Sequence, residues 1–297
     1  MKEDKQILCF GETVWDYLPD GRRPGGAPMN VALNLKRFGI KSTFASSVGN
    51  DQIGVELVEF IAKSGLSTDL IQIHEKLPTG EVKVKLSASN DATFEICKPV
   101  AWDEIHLTPD LSYEVANSRA LVFGSVVARS KHTRDTLFRL LETDLIKILD
   151  VNLRPPDYDE RTVEKLIAEA DILKLNDEEL FVITDWFGFS GSVSERMHML
   201  QDAFNFDALI VTRGKDGAYL IHEDTFYKHE GFKVNTIDTV GSGDAFLAGF
   251  LAALFGGKNM NQALTEACAI GAFVATQSGA TPEYTKEVIQ TLINNVE

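Results

Sequence analysis

The sequence predicts an α/β fold, a three-layer arrangement in which helices cover a mainly parallel central sheet and a small β-sheet lid projects from it. Two observations carry this. Short apolar runs alternate with helical periods along most of the chain, the pattern of successive βα units. One segment, Thr79–Lys98, has the period-2 alternation of a hairpin with one wet face instead. No Pro-rich linker, repeat or low-complexity tract divides the 297 residues, so residues 1–297 are expected to form a single domain, with lid strands near 13–18 and 79–98.

Strands are expected at Ile7–Phe10, Thr43–Val48, Ala120–Phe123, Leu145–Val151, Ile172–Leu175, Ala208–Thr212 and Ala218–Ile221. The Pro28–Phe38 segment reads as a helix, with Val31, Leu35 and Phe38 on one face, Pro28 at its start and Gly39 at its stop. Asp51–Ser64 reads as a second, with a stripe of Ile53, Leu57, Phe60 and Ile61. Tyr284, Val288 and Leu292 recur at i, i+4 and i+8 near the C-terminus. In the hairpin, Val82, Val84 and Leu86 alternate with charged residues, Ser89-Asn90-Asp91 is the turn, and Phe94 and Ile96 resume the pattern. Phe187–Val193 is a surface loop. Cys9 and Cys268 sit in apolar surroundings and read as small core residues.

Composition excludes several classes. With 29 basic and 44 acidic residues the net charge is −15, so phosphate backbones and anionic lipids repel the chain. Nucleic acid and membrane are not expected partners, and an anionic ligand must be held by a local device. Three widely spaced cysteines build neither a disulfide framework nor a zinc site. The six histidines match no metal motif. The charged start MKEDKQ has no signal-peptide apolar region, and the longest apolar stretch, Ala245–Gly257, is too short to span a bilayer. A cytoplasmic protein is expected.

The chemistry concentrates at Asp238-Thr-Val-Gly-Ser-Gly-Asp244-Ala-Phe246, which runs into a helix apolar almost all round. Glycines let bare backbone approach a ligand, and the helix N-terminus offers unpaired N–H groups with partial positive charge. That combination is an anion hole. Asp244 stands inside it, as a helix cap or as a catalytic group beside a phosphate. This is no Walker A loop, because neither Gly257-Lys258 nor Gly214-Lys215 has a glycine five positions earlier. It is no G-x-G-x-x-G either, since Phe246 takes the third glycine's place.

These residues resemble the C-terminal signature of the ribokinase-like (PfkB-type) carbohydrate kinases. Gly11-Glu12, Asp16 and Gly25-Gly26-Ala27-Pro28-Met29-Asn30 are similar to that family's N-terminal sugar signature. Asn176-Asp-Glu-Glu179 is similar to its N-x-x-E motif, and Thr212-Arg213-Gly214-Lys-Asp-Gly217 to its nucleotide turn. The likeness spans essentially the whole chain. The Gly-Gly-Ala-Pro form and Asp150-Val-Asn152-Leu-Arg154 resemble fructokinases most closely.

The resemblance implies ATP-dependent phosphorylation of a sugar hydroxyl, most readily of fructose, in a ribokinase-like fold. The same family also contains kinases of 2-keto-3-deoxygluconate and of aminoimidazole riboside. A non-catalytic sugar sensor is disfavoured, because sensing needs no base. Asp244 would be the base, and the Gly241, Ser242 and Gly243 N–H groups would stabilise the transferring phosphoryl. Arg154 would hold phosphoryl or sugar oxygen. Asp16, Gly25, Gly26, Asn30, Asp150, Asn152 and Asp244 would bind sugar; alternation should place Asp150, Asn152 and Arg154 on one face. Asn176, Thr212, Arg213, Gly214, Gly217, Gly241, Gly243, Gly279 and Ala280 would bind nucleotide. Glu179 would organise Mg²⁺ through water, and Asp238 and Val240 would contribute to a K⁺ site. The lid's apolar face suggests a homodimer. Met29 departs from the fructokinase form, which commonly has alanine there, and is expected to reshape the pocket floor; Pro155-Pro156 after Arg154 departs as well.

Overall fold

The computed structural model describes residues 5–18, 21–86 and 92–294. In chain order, β1 (Ile7–Phe10) leads into a hairpin of β2 (Val14–Leu18) and β3 (Gly21–Gly25), then α1 (Ala27–Arg37), β4 (Ser42–Gly49), α2 (Gln52–Lys63) and β5 (Ile71–His74). A second excursion, β6 (Gly80–Leu86) and β7 (Ala92–Ile96), precedes α3 (Pro109–Asn117), β8 (Ala120–Gly124), α4 (Lys131–Leu141), β9 (Ile146–Asp150) and α5 (Glu160–Glu169). The chain continues with β10 (Ile172–Asn176), α6 (Asp177–Trp186), α7 (Val193–Phe204), β11 (Ala208–Thr212), β12 (Ala218–His222) and β13 (Thr225–His229). It ends with α8 (Ser242–Phe255), α9 (Met260–Ala275) and α10 (Lys286–Asn294).

The large sheet has the order β13-β12-β11-β10-β9-β8-β1-β4-β5 and is parallel from β11 to β5; β12 and β13 close one edge antiparallel. Successive side chains of a strand point to opposite faces, and both faces are covered. Ile7, Cys9, Val122, Ile148 and Ile210 pack with residues of α1, α8 and α9. Leu8, Phe10, Leu121, Phe123, Leu149 and Val211 pack against residues of α3 to α7. Two buried faces explain why these strands read as continuous apolar runs. α8 is buried on nearly every side, as its all-round apolar sequence predicts.

The small sheet has the order β3-β2-β6-β7. Both expected lid segments form it, and β3 joins them unannounced. Its sequence, GRRPG, carries no strand signal. It exists because it pairs antiparallel with β2, and as an edge strand it tolerates Pro24. The expected turn Ser89-Asn90-Asp91 lies outside the described residues. β5 and β13 also had no strong signature; both are edge strands of the large sheet, half-exposed, and form by tertiary pairing.

Two expectations are corrected. The C-terminal helix begins at Lys286, after Pro282, so Tyr284 precedes it and Val288 is solvent-exposed. The stripe that packs is Ile289, Leu292 and Ile293. Second, β9 stops at Asp150, and Asn152 takes a left-handed backbone with φ 47°. Strand alternation therefore does not run through Asp150, Asn152 and Arg154.

Candidate active site

The C-terminal ends of β1, β9 and β10, the stem of the small sheet and the N-termini of α1, α6 and α8 meet at one place, the edge at which parallel α/β sheets bind ligands. β1 runs out through Gly11 and Glu12 into lid strand β2, which carries Asp16. The chain returns through β3 to Gly25 and Gly26 and enters α1, which carries Asn30. Gly25 has no room for a side chain: a Cβ there would sit 2.2 Å from Asp16 Oδ2. The glycine is what lets the Asp16 carboxylate lie against the backbone of the opposing strand.

Asn30 is the junction. Its Nδ2 donates to Asp244 Oδ2 at 2.8 Å, joining positions 214 residues apart. α8 has Gly241 at its N-cap (φ 76°), with no side chain capping the helix. A Cβ on Gly241 would lie 2.5 Å from Ala280 Cα, so the turn is pressed against the 279–280 segment. Asp244, in the first turn, does not cap; its carboxylate faces Asn30. Burial, and secondarily Asp150, push its pKa up to about 6, against the opposing pull of Asn30, Lys174 and Arg154. Asp16 is likewise raised by burial to about 6, and Glu12 to about 7. Arg154 is exposed, yet its charge draws all three of these carboxyls back down.

Several buried polar atoms around Asp244 have no hydrogen-bond partner: Glu12 Oε2, Asn30 Oδ1 and Ser242 Oγ. Buried polar groups are nearly always satisfied. Orphans grouped around one carboxylate mark a place built for a polar ligand. Glu12 Oε1 accepts the Ala27 N–H at the start of α1 (3.2 Å). Glu12 belongs to the Gly11-Glu12 pair of the N-terminal signature, but the sequence alone did not mark it as a site residue.

The N-x-x-E motif has a different geometry. Asn176 Oδ1 accepts the Glu179 N–H (2.8 Å), and Glu179 Oε2 accepts the Asn176 N–H (2.9 Å), a capping box on α6. Glu179 Oε1 takes the Leu153 N–H at 2.8 Å and pins the loop after β9. Burial raises the Glu179 pKa. Asp150 is also committed. Both its oxygens accept from Lys174 Nζ at 2.8 Å, across the β9–β10 register. Lys174, 5% exposed, was missed because one lysine in an apolar strand carries no motif.

On the far side, Thr212 ends β11 and Arg213 turns back over Tyr219, donating to its hydroxyl at 2.8 Å; Arg213 Nε is buried without a hydrogen-bond partner. Gly214 and Gly217 bound the tight turn to β12. Asp238 accepts the N–H groups of Val240 (3.0 Å) and Gly279 (3.1 Å), and Arg23 of β3 lies 3.8 Å away while donating to Ser278 Oγ at 2.8 Å. So the lid strand opposite Asp16 reaches the 238 and 278–280 segments directly. Met29 does not shape a pocket floor: it is 1% exposed, packed in the core, with its sulfur against the Thr13 hydroxyl.

An uncapped helix N-terminus, a carboxylate of raised pKa in its first turn and unpartnered buried polar atoms beside a small β-sheet fit one class, an α/β kinase of small molecules. Residues 5–287 match the model of the pfkB family carbohydrate kinases, and the chain belongs to that family. It is 31% identical over 251 residues to a sugar kinase of Pyrococcus horikoshii, covering 81% of this chain and 76% of that protein. The structure of that uncharacterized sugar kinase in complex with ATP superposes with a TM-score of 0.78 over 97% of this chain and 99% of that one, at 28% identity. A fructokinase of Vibrio alginolyticus is 28% identical over 93% of this chain and 94% of its own. The fructokinase of Vibrio cholerae with bound fructose, ADP and calcium ion has a TM-score of 0.85 at 25% identity, over 98% and 99% of the two chains. Among the described residues no helix is long and apolar enough to cross a membrane.

Proposed function

We propose that this carbohydrate kinase transfers the γ-phosphoryl group of ATP to a hydroxyl of fructose, at C6. The 2.8 Å contact between Asn30 and Asp244 carries the reading. It joins the sugar-signature helix α1 to the anion-binding turn of α8 at a single carboxylate. Asp16, Asn30 and the backbone at Gly25 and Gly26 would hold the sugar hydroxyls. Asp244, more basic than an ordinary aspartate, takes the proton of the attacking hydroxyl. The sugar oxygen forms a bond to the γ-phosphorus, the bond to the β,γ-bridging oxygen breaks, and ADP leaves with that electron pair. The N–H groups of Gly241, Ser242 and Gly243 face the charge that develops.

Magnesium would enter with the ATP phosphates and neutralise part of their charge. Among the described residues no group of three metal-ligating side chains converges. Both Glu179 oxygens already accept a backbone N–H. That donor set suits contact through water, which magnesium retains readily. Asn176 and Glu179 would then act by fixing the loop that carries Arg154. At the monovalent-cation position, the Asp238 carboxylate is occupied by two N–H groups and neighboured by Arg23, which leaves carbonyls as the donors there.

Fructose is favoured by the Gly25–Asn30 and Asp150–Arg154 sequences and by the relatives named fructokinase. The test is ADP release measured over a panel of sugars. Fructose should exceed glucose and ribose by well over tenfold in kcat/KM, since a pocket built for particular hydroxyls leaves polar groups unpaired with the wrong sugar. An equal or higher rate with 2-keto-3-deoxygluconate or aminoimidazole riboside would overturn fructose and leave the sugar kinase standing.

A further inference from the structure

Lys174 is a buried cation in the middle of the site. It lies on β10 with its ammonium under α8: a Cβ on Gly243 would be 3.5 Å from its Nζ. The strand explains the placement, since Ile172 and Lys174 share the face covered by α8 and Asp150 occupies the matching position on β9. An ammonium has three donors. Asp150 takes two, through both oxygens, and leaves one.

The position is electrostatically unusual. A helix N-terminus carries partial positive charge, and the N-terminus of α8 and the Lys174 ammonium converge beside Gly243. Two positive ends share a buried site comfortably only around negative charge. Asp150 supplies it below the turn. Ser242 Oγ of the turn itself and Asn30 Oδ1 of α1, the residue that donates to Asp244, are buried and unpartnered. Burial pulls the Lys174 pKa down, but Asp150, with Glu179 and Asp244 beyond it, more than offsets this and keeps the ammonium charged. The groups facing Asp244 are Asp150, Asn30, Lys174, Arg154 and Glu12. Of the two cations among them, Arg154 is exposed and Lys174 is immobilised.

We propose that Lys174 is a positioning residue for phosphoryl transfer: clamped by Asp150, its ammonium places fixed positive charge beneath the Gly241–Asp244 turn, where it offsets the charge of the phosphoryl group in transit. This rests on the kinase reading above. A preorganised charge acts mainly on the transition state, so its loss should appear in kcat rather than in sugar KM.

The test is the neutral pair Lys174→Met/Asp150→Asn, because a buried ion pair replaced by neutral groups often folds as well as the original. Lys174→Gln, which keeps a donor to Asp150 without the charge, is the second variant. Binding of ADP alone, ADP with aluminium fluoride in the presence of sugar, and the sugar itself is measured alongside turnover. The expected result is a folded variant whose kcat and affinity for the ADP–aluminium fluoride complex both fall about 10²-fold, while ADP alone, and in Lys174→Gln, which keeps the Asp150 carboxylate, also the sugar, bind within threefold of wild type. In Lys174→Gln the acid limb of kcat/KM should also move to higher pH. Near-normal turnover in either folded variant overturns the proposal, as does an equal loss of all three affinities. If neither variant folds, the pair is a folding element and the proposal falls. A wild-type protein that phosphorylates no sugar removes the kinase reading, and this proposal with it.

Discussion

Two helix N-termini lie at the C-terminal end of β10 and are finished in opposite ways. At α6, the start is closed: Asn176 and Glu179 satisfy each other's backbone N–H groups, and the remaining Glu179 oxygen takes the Leu153 N–H. At α8, the start is open: glycine caps, no side chain does, and the first-turn carboxylate points to Asn30 on another helix. Both sequences place acidic residues in a first turn, which suits either end electrostatically. What differs is where the orphan donors of the helix go. A closed end contributes stability and holds a loop in place. An open end keeps its donors for a ligand.

The largest expected contrast comes from the carboxylates themselves. Asp244→Asn should leave the protein folded and lower kcat about 10²-fold or more, measured by steady-state kinetics beside a thermal melt. A capping role alone would instead lower stability by about 1 kcal/mol with turnover intact. At the closed end, Asn176→Ala should show that second pattern, about 1 kcal/mol less stable by denaturant titration. An Asn176→Ala variant as stable as wild type would mean the capping box does not hold α6.

The pH dependence sharpens the comparison. Asp244, raised by burial to about 6, should give kcat/KM an acid limb near pH 6, with activity lost as the base is protonated below it. The stability effect has the opposite sense. A carboxyl whose folded pKa lies above its unfolded value binds more protons when folded, so its stabilising contribution is full below the unfolded pKa and is lost as pH rises through the folded one. Asp16, Asp244 and Glu12, at about 6, 6 and 7, should each make the ligand-free protein less stable at pH 8 than at pH 5. Asp244→Asn should remove part of that slope and melt higher than wild type at pH 8. A lower melting temperature there would argue against a pKa raised by burial at Asp244.

Smaller effects are expected on the lid. Gly25→Ala would drive a methyl group into Asp16 Oδ2 and should raise the sugar KM severalfold with ATP KM little changed. Arg23→Gln, which cuts the link from β3 to Ser278 and Asp238, should weaken mainly the dependence of ATP KM on bound sugar. Hydrogen exchange over Gly80–Leu86 and Ala92–Ile96 checks the lid directly. Slower exchange with sugar supports closure, and equal protection in free and bound states indicates a fixed edge.

Local signals in the chain determined much of this protein. Apolar runs separated by helical periods specify the large sheet, because a strand buried on both faces is apolar at most positions. The Gly241–Asp244 turn before an all-apolar helix marks the proposed anion site, because a glycine N-cap leaves the first N–H groups of that helix without a side-chain partner. Tertiary structure decided the rest. β3 has no strand composition and forms only because β2 offers it an edge. Asp150 and Asn152 were expected on one face, but β9 stops at Asp150, and Lys174 on the neighbouring strand takes both of its oxygens. Asn30 meets Asp244 across 214 residues, and Arg23 meets Ser278 across 255. Hydrogen bonds and ion pairs of such reach leave no period in a sequence. They depend on which strands lie side by side, and that is settled only when the whole sheet closes its core.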